Sequence, residues 1–243
     1  MSQKRAAGGT LPEHVAAVVP CFNAGGRVRP VVERLLEYVE HVVVVDDGST
    51  DASVLSLGGL PITLVSLGTN RGKGHALLAG FRKALEWEGV RAVAVLDADG
   101  QHNPSELPRL YEAFQRDDAS LVIGARQFDQ GHVPWRSRFG NTLTVRLTGL
   151  LLGRRLPDTQ CGFRLLARPF VQEVLGSVAG GRYETEMEIV VKAIREGYTV
   201  SSVPIATIYE AGNVSSHFHK VRDSFLIYTR LLRACARRRQ ESS

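Results

Sequence analysis

The apolar residues of the first half of the chain fall into two alternating patterns. Short apolar runs bounded by polar or glycine-rich residues predict buried strands at 15–19, 42–45, 61–67, from 93 onwards and at 121–123. Between them, apolar residues recur at helical spacing, most clearly in the set Val28, Val31, Val32, Leu35, Leu36 and Val39. Further helices are predicted over about 104–116 and after residue 72, the latter with a core face of Leu77, Leu78, Phe81, Leu85 and Trp87. This alternation predicts an α/β fold, with a Rossmann-like, mostly parallel sheet that has helices on both faces.

The pattern changes after residue 127. Within 133–156, one helical face carries Phe139, Leu143, Leu147, Leu150 and Leu151. Arginines that include Arg136 and Arg138 flank this face. The segment is too short to cross a bilayer, and it is equally consistent with a helix at a membrane interface and with a helix packed on the sheet.

The remaining segments complete a single predicted domain, 14–243, behind a mobile tail at 1–13. A short strand is predicted at 165–166, a helix over 182–194 that ends at Gly197, and a last strand at 199–204. Residues 208–220 lack periodicity and predict a mobile loop, whereas 220–239 predict a basic amphipathic helix.

Composition narrows the class of protein. A chain of 243 residues that is 44% hydrophobic and 23% charged has the composition of an ordinary globular protein. Cys21, Cys161 and Cys235 include no C-x-x-C pair, which predicts neither a disulfide framework nor a zinc site and favours the cytoplasm. No signal peptide and no transmembrane run of about 18 apolar residues is expected. The net charge of +5 favours phosphate-bearing partners without naming one.

Two acids end a short apolar strand, in the stretch VAVLDADGQ. Side chains alternate along an extended chain, so Asp97 and Asp99 are expected on the same side, at the carboxyl edge of the sheet. Two carboxylates placed in this way suit Mg²⁺ or Mn²⁺, which take their remaining ligands from water and substrate phosphates. The alternative is that both acids only cap the helix that begins near Pro104.

Other polar residues follow the neighbouring strands. Asp46 and Asp47 end the second strand; Asp46 is the favoured contact for a base or ribose, and Asp47 fits a turn equally well. Lys73 opens a helix after a loop that lacks P-loop spacing, so it is expected either to contact a diphosphate or to be solvated. Arg126 ends the fifth strand and is a candidate phosphate clamp.

Seven motifs in order, VVPCFNAGG, VVVVDDGSTDAS, NRGKGHALLAGF, VLDADGQH, VIGAR, DTQCGFRLL and YETEMEIVVKA, resemble the family 2 glycosyltransferases. Within that family they are most similar to dolichyl- and polyprenyl-phosphate mannose or glucose synthases. The resemblance runs from about Val15 to Asp223. It implies a GT-A fold and inversion at the anomeric carbon. It also implies that the Asp-Ala-Asp triplet binds Mg²⁺ or Mn²⁺ against the donor diphosphate.

The resemblance further implies roles for single residues on the donor side. Asp97, Asp99 and Gln101 would hold the metal, with Ala98 between them in the donor site. Arg126 would also contact the donor. The expected nucleoside pocket consists of Pro20, Phe22 and Asp46, with Asp47 beside it.

On the acceptor side, the resemblance implies that Arg136 or Arg138 meets an acceptor phosphate near the membrane. Gln160 lies in the polar loop of the DTQCGFRLL motif. The last loop in these synthases carries a basic residue after a serine and closes over the diphosphate. In this chain His217 follows the serine, and Lys220 and Arg222 lie beyond it.

The predicted activity is transfer of a hexose from a nucleotide sugar of the GDP-mannose or UDP-glucose type to a polyprenyl phosphate. The enzyme would be cytoplasmic, bound peripherally to the inner membrane surface, with no nucleic acid partner. A hydroxyl acceptor would need a carboxylate base, for which Glu186 and Glu188 are candidates. The alternatives are the same fold acting on a soluble acceptor, a nucleotidyltransferase, and a basic nucleic-acid-binding protein. The last lacks the interleaved aromatic residues, zinc fingers and reading helix expected of it.

Overall fold

The computed structural model describes residues 14–126, 149, 158–182 and 184–206. Strands and helices alternate in these parts of the chain, and short 3-10 turns, Gly25–Arg27 and Pro104–Glu106, precede the first and fourth helices. In chain order the elements are β1 (Val15–Cys21), α1 (Val28–Leu35), β2 (His41–Asp46), α2 (Ser53–Ser56), β3 (Thr63–Ser66), α3 (Lys73–Ala84), β4 (Ala92–Val95), α4 (Leu107–Arg116), β5 (Leu121–Arg126), β6 (Arg164–Ala167), α5 (Arg168–Ser177), α6 (Glu184–Arg195) and β7 (Val200–Ile205).

The strands form one seven-stranded sheet in the order β3-β2-β1-β4-β6-β5-β7. Strands β1, β2, β3 and β4 are parallel neighbours, and β5 is parallel to β7. Strand β6 is antiparallel to both β4 and β5. The predicted mostly parallel sheet is therefore confirmed, with one antiparallel strand that the pattern did not predict.

Burial of the central strands shows that both faces of the sheet are covered. All the residues of β4 are buried, as are all but one of β1, β2 and β5. Consecutive residues of a strand point to opposite faces, so continuous burial requires packing on each face. Edge strand β3 instead alternates between half-buried and exposed positions.

Helix α3 lies close against the sheet at a glycine. A Cβ added at Gly80 would be 2.3 Å from Cγ1 of Val18 on β1. Glycine therefore permits this approach, and the buried residues Leu77 and Phe81 of the same helix fill the space beside it. The approach fixes where the N-terminus of α3, which carries Lys73, lies relative to the strand ends.

Several predicted boundaries differ from the structure. Helix α1 ends at Leu35, although Val39 remains buried on the following turn. Strand β4 ends at Val95, so strand alternation does not determine the directions of Asp97 and Asp99; the chain is already turning at residues 98–100. Helix α6 ends at Arg195, and Gly197 follows it with φ +78°, the left-handed glycine predicted to terminate this helix.

Helix α5 was not predicted from the apolar pattern. It begins with Arg168 and Pro169 and buries Phe170, Val171 and Val174. Proline in the first turn and apolar residues at this spacing are both signals of a helix, so the sequence contained the information.

Other predicted features lie outside the described residues. They are the tail at 1–13, the segment 133–156 apart from Gly149, the loop at 208–220 and the helix at 220–239. Among the residues that the structure describes, no helix is long and apolar enough to span a bilayer.

Candidate active site

The carboxyl ends of β1, β2 and β4 lie at one edge of the sheet, because these strands are parallel neighbours. Strands β2 and β3 lie on one side of β1, whereas β4 lies on the other. A reversal of strand order leaves a crevice beyond the strand ends, where open α/β sheets bind ligands. The candidate residues that follow these strands are therefore grouped around one crevice.

Hydrogen bonds join the loops that follow β1 and β2. Asn23 Oδ1 accepts from the backbone N–H of Thr50 at 2.8 Å, and Ser49 Oγ accepts from the backbone N–H of Asn23 at 3.1 Å. The N–H of Gly25 donates to Asp51 Oδ2 at 2.8 Å. These bonds fix the loop that carries the predicted nucleoside-contacting residues.

The two acids at the end of β2 make different contacts. Asp46 Oδ1 accepts from the N–H of Ser49 at 2.8 Å. Asp47 accepts from the N–H groups of Arg71 and Gly72 at 2.7 and 2.8 Å. Asp47 therefore holds the loop before α3, whereas Asp46 organises the turn at the strand end.

Lys73, the first residue of α3, lies inside the site. Its Nζ is 2.6 Å from Asp97 Oδ1 and 2.9 Å from Glu186 Oε2, and its side chain is 14% exposed. Burial alone would lower the pKa of Lys73, but the two carboxylates more than offset this effect, and the pKa lies above its ordinary value. The solvated alternative for Lys73 is therefore wrong.

Asp97 and Asp99 interact electrostatically but have opposite pKa shifts. Burial would raise the pKa of Asp97, but Lys73, together with His102 and Arg164, outweighs it and the pKa is lowered. Burial and the charge of Asp97 raise the pKa of Asp99. Asp99 Oδ1 accepts one hydrogen bond, from the N–H of Gln101 at 3.0 Å. Asp99 is therefore the acid of the pair whose charge is less well compensated.

Neither acid caps the following helix. The turn that leads into α4 is capped by Asn103, whose Oδ1 accepts from the N–H of Ser105 at 3.0 Å. The interpretation of Asp97 and Asp99 as helix caps is therefore wrong.

The residues of this turn have the chemistry that a hard divalent ion requires. Burial and, next, the charge of Asp97 raise the pKa of Asp99, so the two carboxylates interact and Asp99 can gain from a cation. In the described part of the chain, no group of three or more His, Cys, Asp or Glu residues could hold a metal by itself. Mg²⁺ and Mn²⁺ commonly take only one or two carboxylates and complete their shell with phosphate oxygens and water. Asp99 and Asp97 fit such an ion.

Arg126, at the end of β5, is bound to a buried acid of the DTQCGFRLL motif. Its Nε lies 2.6 Å from Asp158 Oδ2 and its Nη2 lies 3.2 Å from Oδ1. The Asp158 side chain is fully buried, whereas 22% of the Arg126 side chain is exposed. The pair attaches the loop at 158–163 to β5 and holds the guanidinium at the edge of the sheet.

Arg164, the first residue of β6, also binds the loop at 158–163. It is buried and donates to the carbonyl oxygens of Cys161 at 2.9 Å and Thr159 at 2.9 Å. It also donates to the carbonyl oxygen of Glu186 at 2.7 Å. Arg164 therefore connects the loop to α6 and places a second buried cation near Asp97, whose pKa it helps to lower.

A buried imidazole lies beneath the Asp-Ala-Asp turn. His102 is 5% exposed, and its Nε2 lies 3.8 Å from Cys161 Sγ. Burial lowers the pKa of His102 to about 4. Burial, with a smaller effect of Asp158, raises the pKa of Cys161 to about 12. Both side chains are therefore neutral near pH 7.

The N-termini of α3 and α6 are in direct contact. The N–H of Gly74 donates to the carbonyl oxygen of Gly181 at 2.9 Å. A Cβ at Gly74 would lie 2.0 Å from Oγ1 of Thr185, so only glycine allows the helices to approach this closely. The contact brings Lys73 and Glu186 together from distant parts of the chain.

The structure thus brings together most of the predicted donor-side residues. Pro20, near the end of β1, and Phe22, directly after β1, are half-buried, and Ala98 is buried between the two acids. On the acceptor side, Gln160 and Glu188 are half-buried. The predicted residues Arg136, Arg138, His217, Lys220 and Arg222 lie outside the described residues.

Residue-by-residue reasoning missed four members of the site: His102, Asp158, Gly162 and Arg164. All four lie in motifs that carried the resemblance, VLDADGQH and DTQCGFRLL. For Arg164, the available signal was its position at the start of an apolar strand. A charged side chain that such a strand buries requires polar partners.

Comparisons with known proteins agree with this geometry. The model of glycosyl transferase family 2 matches residues 16–175. Polyprenol monophosphomannose synthase of Mycolicibacterium smegmatis is 31% identical over 205 residues, which cover 79% of this chain and 77% of the synthase. The UDP-N-acetylglucosamine–dolichyl-phosphate N-acetylglucosaminyltransferase of Methanococcus voltae is 26% identical over 236 residues, which cover 88% of this chain and 93% of the relative.

A solved structure has the same fold. Glucosyl-3-phosphoglycerate synthase of Mycobacterium tuberculosis, in complex with Mn²⁺, UDP and glucosyl-3-phosphoglycerate, superposes with a TM-score of 0.71. Its sequence is 18% identical, and the match covers 93% of this chain and 81% of that one. The expected GT-A fold is confirmed. Because the family match covers more than half of the chain, the protein belongs to glycosyl transferase family 2 and is a glycosyltransferase.

Proposed function

We propose that this glycosyltransferase moves a hexose from a nucleotide sugar to a polyprenyl phosphate, with inversion at the anomeric carbon and dependence on Mg²⁺ or Mn²⁺. The observation that carries the proposal is the pair of acids after β4. Asp99 lies beside Asp97 with a raised pKa, at the edge of the sheet where Asp46 also lies. Two repelling carboxylates in a crevice suit a cation that binds a diphosphate.

The donor would lie across the crevice. Its nucleoside would contact Pro20 and Phe22 at the end of β1. It would also contact the carboxylate of Asp46, which can accept hydrogen bonds from a base or ribose. Its diphosphate would lie above the Asp-Ala-Asp turn, held through the metal by Asp99, Asp97 and Gln101. We propose a donor of the GDP-mannose or UDP-glucose type; a thermal-shift panel of nucleoside diphosphates with Mn²⁺ would identify the base.

The chemistry requires positive charge at the leaving group. Transfer from a nucleotide sugar passes through an oxocarbenium-like transition state while negative charge grows on the departing diphosphate. A bound divalent ion would supply Lewis-acid stabilisation of that charge. Arg126, held by Asp158, would add a preorganised cation at the same edge of the sheet.

We propose a phosphate as the acceptor, because a phosphate nucleophile needs no strong general base from the protein. A phosphate oxygen is already an anionic nucleophile, whereas a hydroxyl needs a carboxylate within hydrogen-bond reach. Of the two candidate bases, Glu186 is buried and paired with Lys73 at 2.9 Å. This pairing favours a phosphate acceptor. The two sequence relatives named above are, by their names, a polyprenol-phosphate and a dolichyl-phosphate enzyme.

A lipid acceptor implies contact with a membrane. We propose peripheral attachment at the inner surface through the segment 133–156, with Arg136 or Arg138 at the acceptor phosphate. His217, Lys220 and Arg222 would then close over the donor diphosphate. Sedimentation with anionic vesicles tests the attachment: the protein should pellet with them and be released by high salt, and failure to pellet would contradict a membrane-bound acceptor site.

The decisive experiment compares two lipids that differ only in the phosphate. The purified protein, Mn²⁺ and radiolabelled UDP-glucose or GDP-mannose are incubated with a polyprenyl phosphate or with the free polyprenol of equal length. Label is expected in the phosphate lipid alone, with release of the nucleoside diphosphate, and Asp99→Asn should abolish it. Equal transfer to the free alcohol, or release of pyrophosphate, would overturn the proposal.

A further inference from the structure

Lys73 occupies a position that bears on metal binding. Its ammonium group is 2.6 Å from Asp97, one of the two acids proposed to face the metal. A cation at this distance neutralises much of the charge that would attract a divalent ion, and it repels the ion directly. Lysine and metal therefore compete for the same carboxylate.

Glu186 provides Lys73 with a second anionic partner. Its Oε2 lies 2.9 Å from Lys73 Nζ, and Glu186 is 6% exposed. Its Oε1 has no hydrogen-bond partner among the described residues, and Arg164 Nη2 lies 3.9 Å from that oxygen. Glu186 thus has unused capacity to accept from the lysine.

The backbone keeps the two residues together. Lys73 begins α3 and Glu186 lies in the first turn of α6, and these helix ends are joined by the Gly74–Gly181 hydrogen bond and the Gly74–Thr185 contact. The Glu186 backbone is held by Arg164. Lys73 contacts both carboxylates at once, so it can keep its contact with Glu186 without movement of either helix.

We propose that Lys73 is a built-in competitor of the divalent ion at Asp97, and that Glu186 is a positioning residue that retains Lys73 when the ion binds. The inference rests on the proposed metal dependence and adds a control of metal affinity. Without an ion, Lys73 balances the charge of Asp97. With the ion and donor bound, Lys73 stays beside Glu186, within reach of the diphosphate.

The test measures the dissociation constant of Mn²⁺ without nucleotide, from the electron paramagnetic resonance signal of free Mn²⁺ at pH 8. Lys73→Met should bind Mn²⁺ tighter by about tenfold or more, because a competing charge is removed. Lys73→Arg keeps the charge and should stay close to wild type. Lys83→Met is the matched control, since Lys83 is on the same helix but pairs with Glu86 at the surface; it should have no effect.

The role of Glu186 is tested by coupling. Glu186→Gln should weaken Mn²⁺ binding in the wild-type background, because Lys73 then interacts more strongly with Asp97. In the Lys73→Met background the same substitution should have a clearly smaller effect. An equal or larger effect would mean that Glu186 acts on the ion directly, and would overturn its assignment as a positioning residue.

The outcomes separate this inference from the proposed function. If wild type binds Mn²⁺ and transfers sugar but Lys73→Met binds the ion no tighter, the competition is overturned and the transferase proposal stands. If wild type binds no Mn²⁺ with or without nucleotide, both are overturned. Should Lys73→Met fail to fold, Glu186→Gln is compared with the double variant Lys73→Met/Glu186→Gln instead. The double variant is expected to bind Mn²⁺ more tightly than Glu186→Gln.

Discussion

The carboxylate of Asp97 packs directly against the backbone of Gly162. A Cβ added at Gly162 would lie 2.2 Å from Asp97 Oδ2 and 2.6 Å from its Cγ, distances that no real contact allows. The same carboxylate is also contacted by Lys73, whose Nζ lies 2.6 Å from its Oδ1. Gly162 and Lys73 together define the position of the first acid of the Asp-Ala-Asp turn.

Replacing Gly162 by alanine should displace Asp97 while leaving the sheet intact. We expect Gly162→Ala to lower turnover by about a hundredfold or more, because misplacing a group that stabilises transition-state charge has costs of this size. Turnover and circular dichroism of the purified variant check this. The matched control is Gly176→Ala in α5, where a Cβ would meet nothing within 4 Å and activity should be unchanged. Normal turnover of Gly162→Ala would contradict the packing argument.

The affinity for Mn²⁺ should depend on pH at values above those at which an ordinary aspartate titrates. The carboxylate form binds the ion, and burial and the charge of Asp97 raise the pKa of Asp99. Mn²⁺ affinity should therefore begin to fall at a higher pH than a free carboxyl predicts. Asp97→Asn should bind the ion more weakly but move this fall to lower pH, because the repelling charge is gone. Titrations between pH 5 and pH 8 would show it; an unchanged midpoint in Asp97→Asn would count against electrostatic coupling of the two acids.

The Arg126–Asp158 pair should contribute to stability as well as to the site. Asp158→Asn leaves the guanidinium facing a buried neutral group, and we expect a loss of about 3 kcal/mol in the free energy of unfolding. Arg126→Met should also destabilise, but the double variant should lose less than the sum of the two single losses, because each single change leaves a charge unpaired. Urea unfolding measures all three, and strict additivity would show that the contact is energetically unimportant.

His102 should make the fold sensitive to acid. Burial lowers its pKa to about 4 in the folded protein, whereas an unfolded histidine titrates near 6.5. The unfolded chain therefore binds a proton between these values while the folded protein does not, so stability is present above pH 6.5 and is lost as the pH falls towards 4. Between pH 7.5 and pH 5 this amounts to about 2 kcal/mol.

The matching variant is His102→Gln, which cannot take up that proton. Its free energy of unfolding should fall by about 2 kcal/mol less than that of wild type between the same two pH values. Identical pH dependence in wild type and His102→Gln would show that His102 is not the group responsible.

Local patterns along the chain predicted most of the architecture. Apolar runs and helical spacing predicted the parallel strands, the helices of the first half and the placement of Asp46, Asp97 and Arg126 at one edge of the sheet. Each of these features depends on neighbours within a few residues, or on the rule that parallel strands end together. The direction of β6 and helix α5 were missed, because a short run such as Leu165–Leu166 shows neither its pairing partner nor its orientation.

The partners of each charge were decided only by the tertiary structure. Lys73 could have been a solvated residue, Glu186 a base and Asp97 a helix cap; the contact of the α3 and α6 N-termini makes the first two an ion pair and joins the third to them. The tertiary structure likewise decided the pairing of Arg126 with Asp158 and the packing of Asp97 against Gly162. Residue type and spacing determine which groups reach the edge of the sheet. Their charge states and partners depend on burial and on segments distant in sequence, so they exist only once the chain has packed.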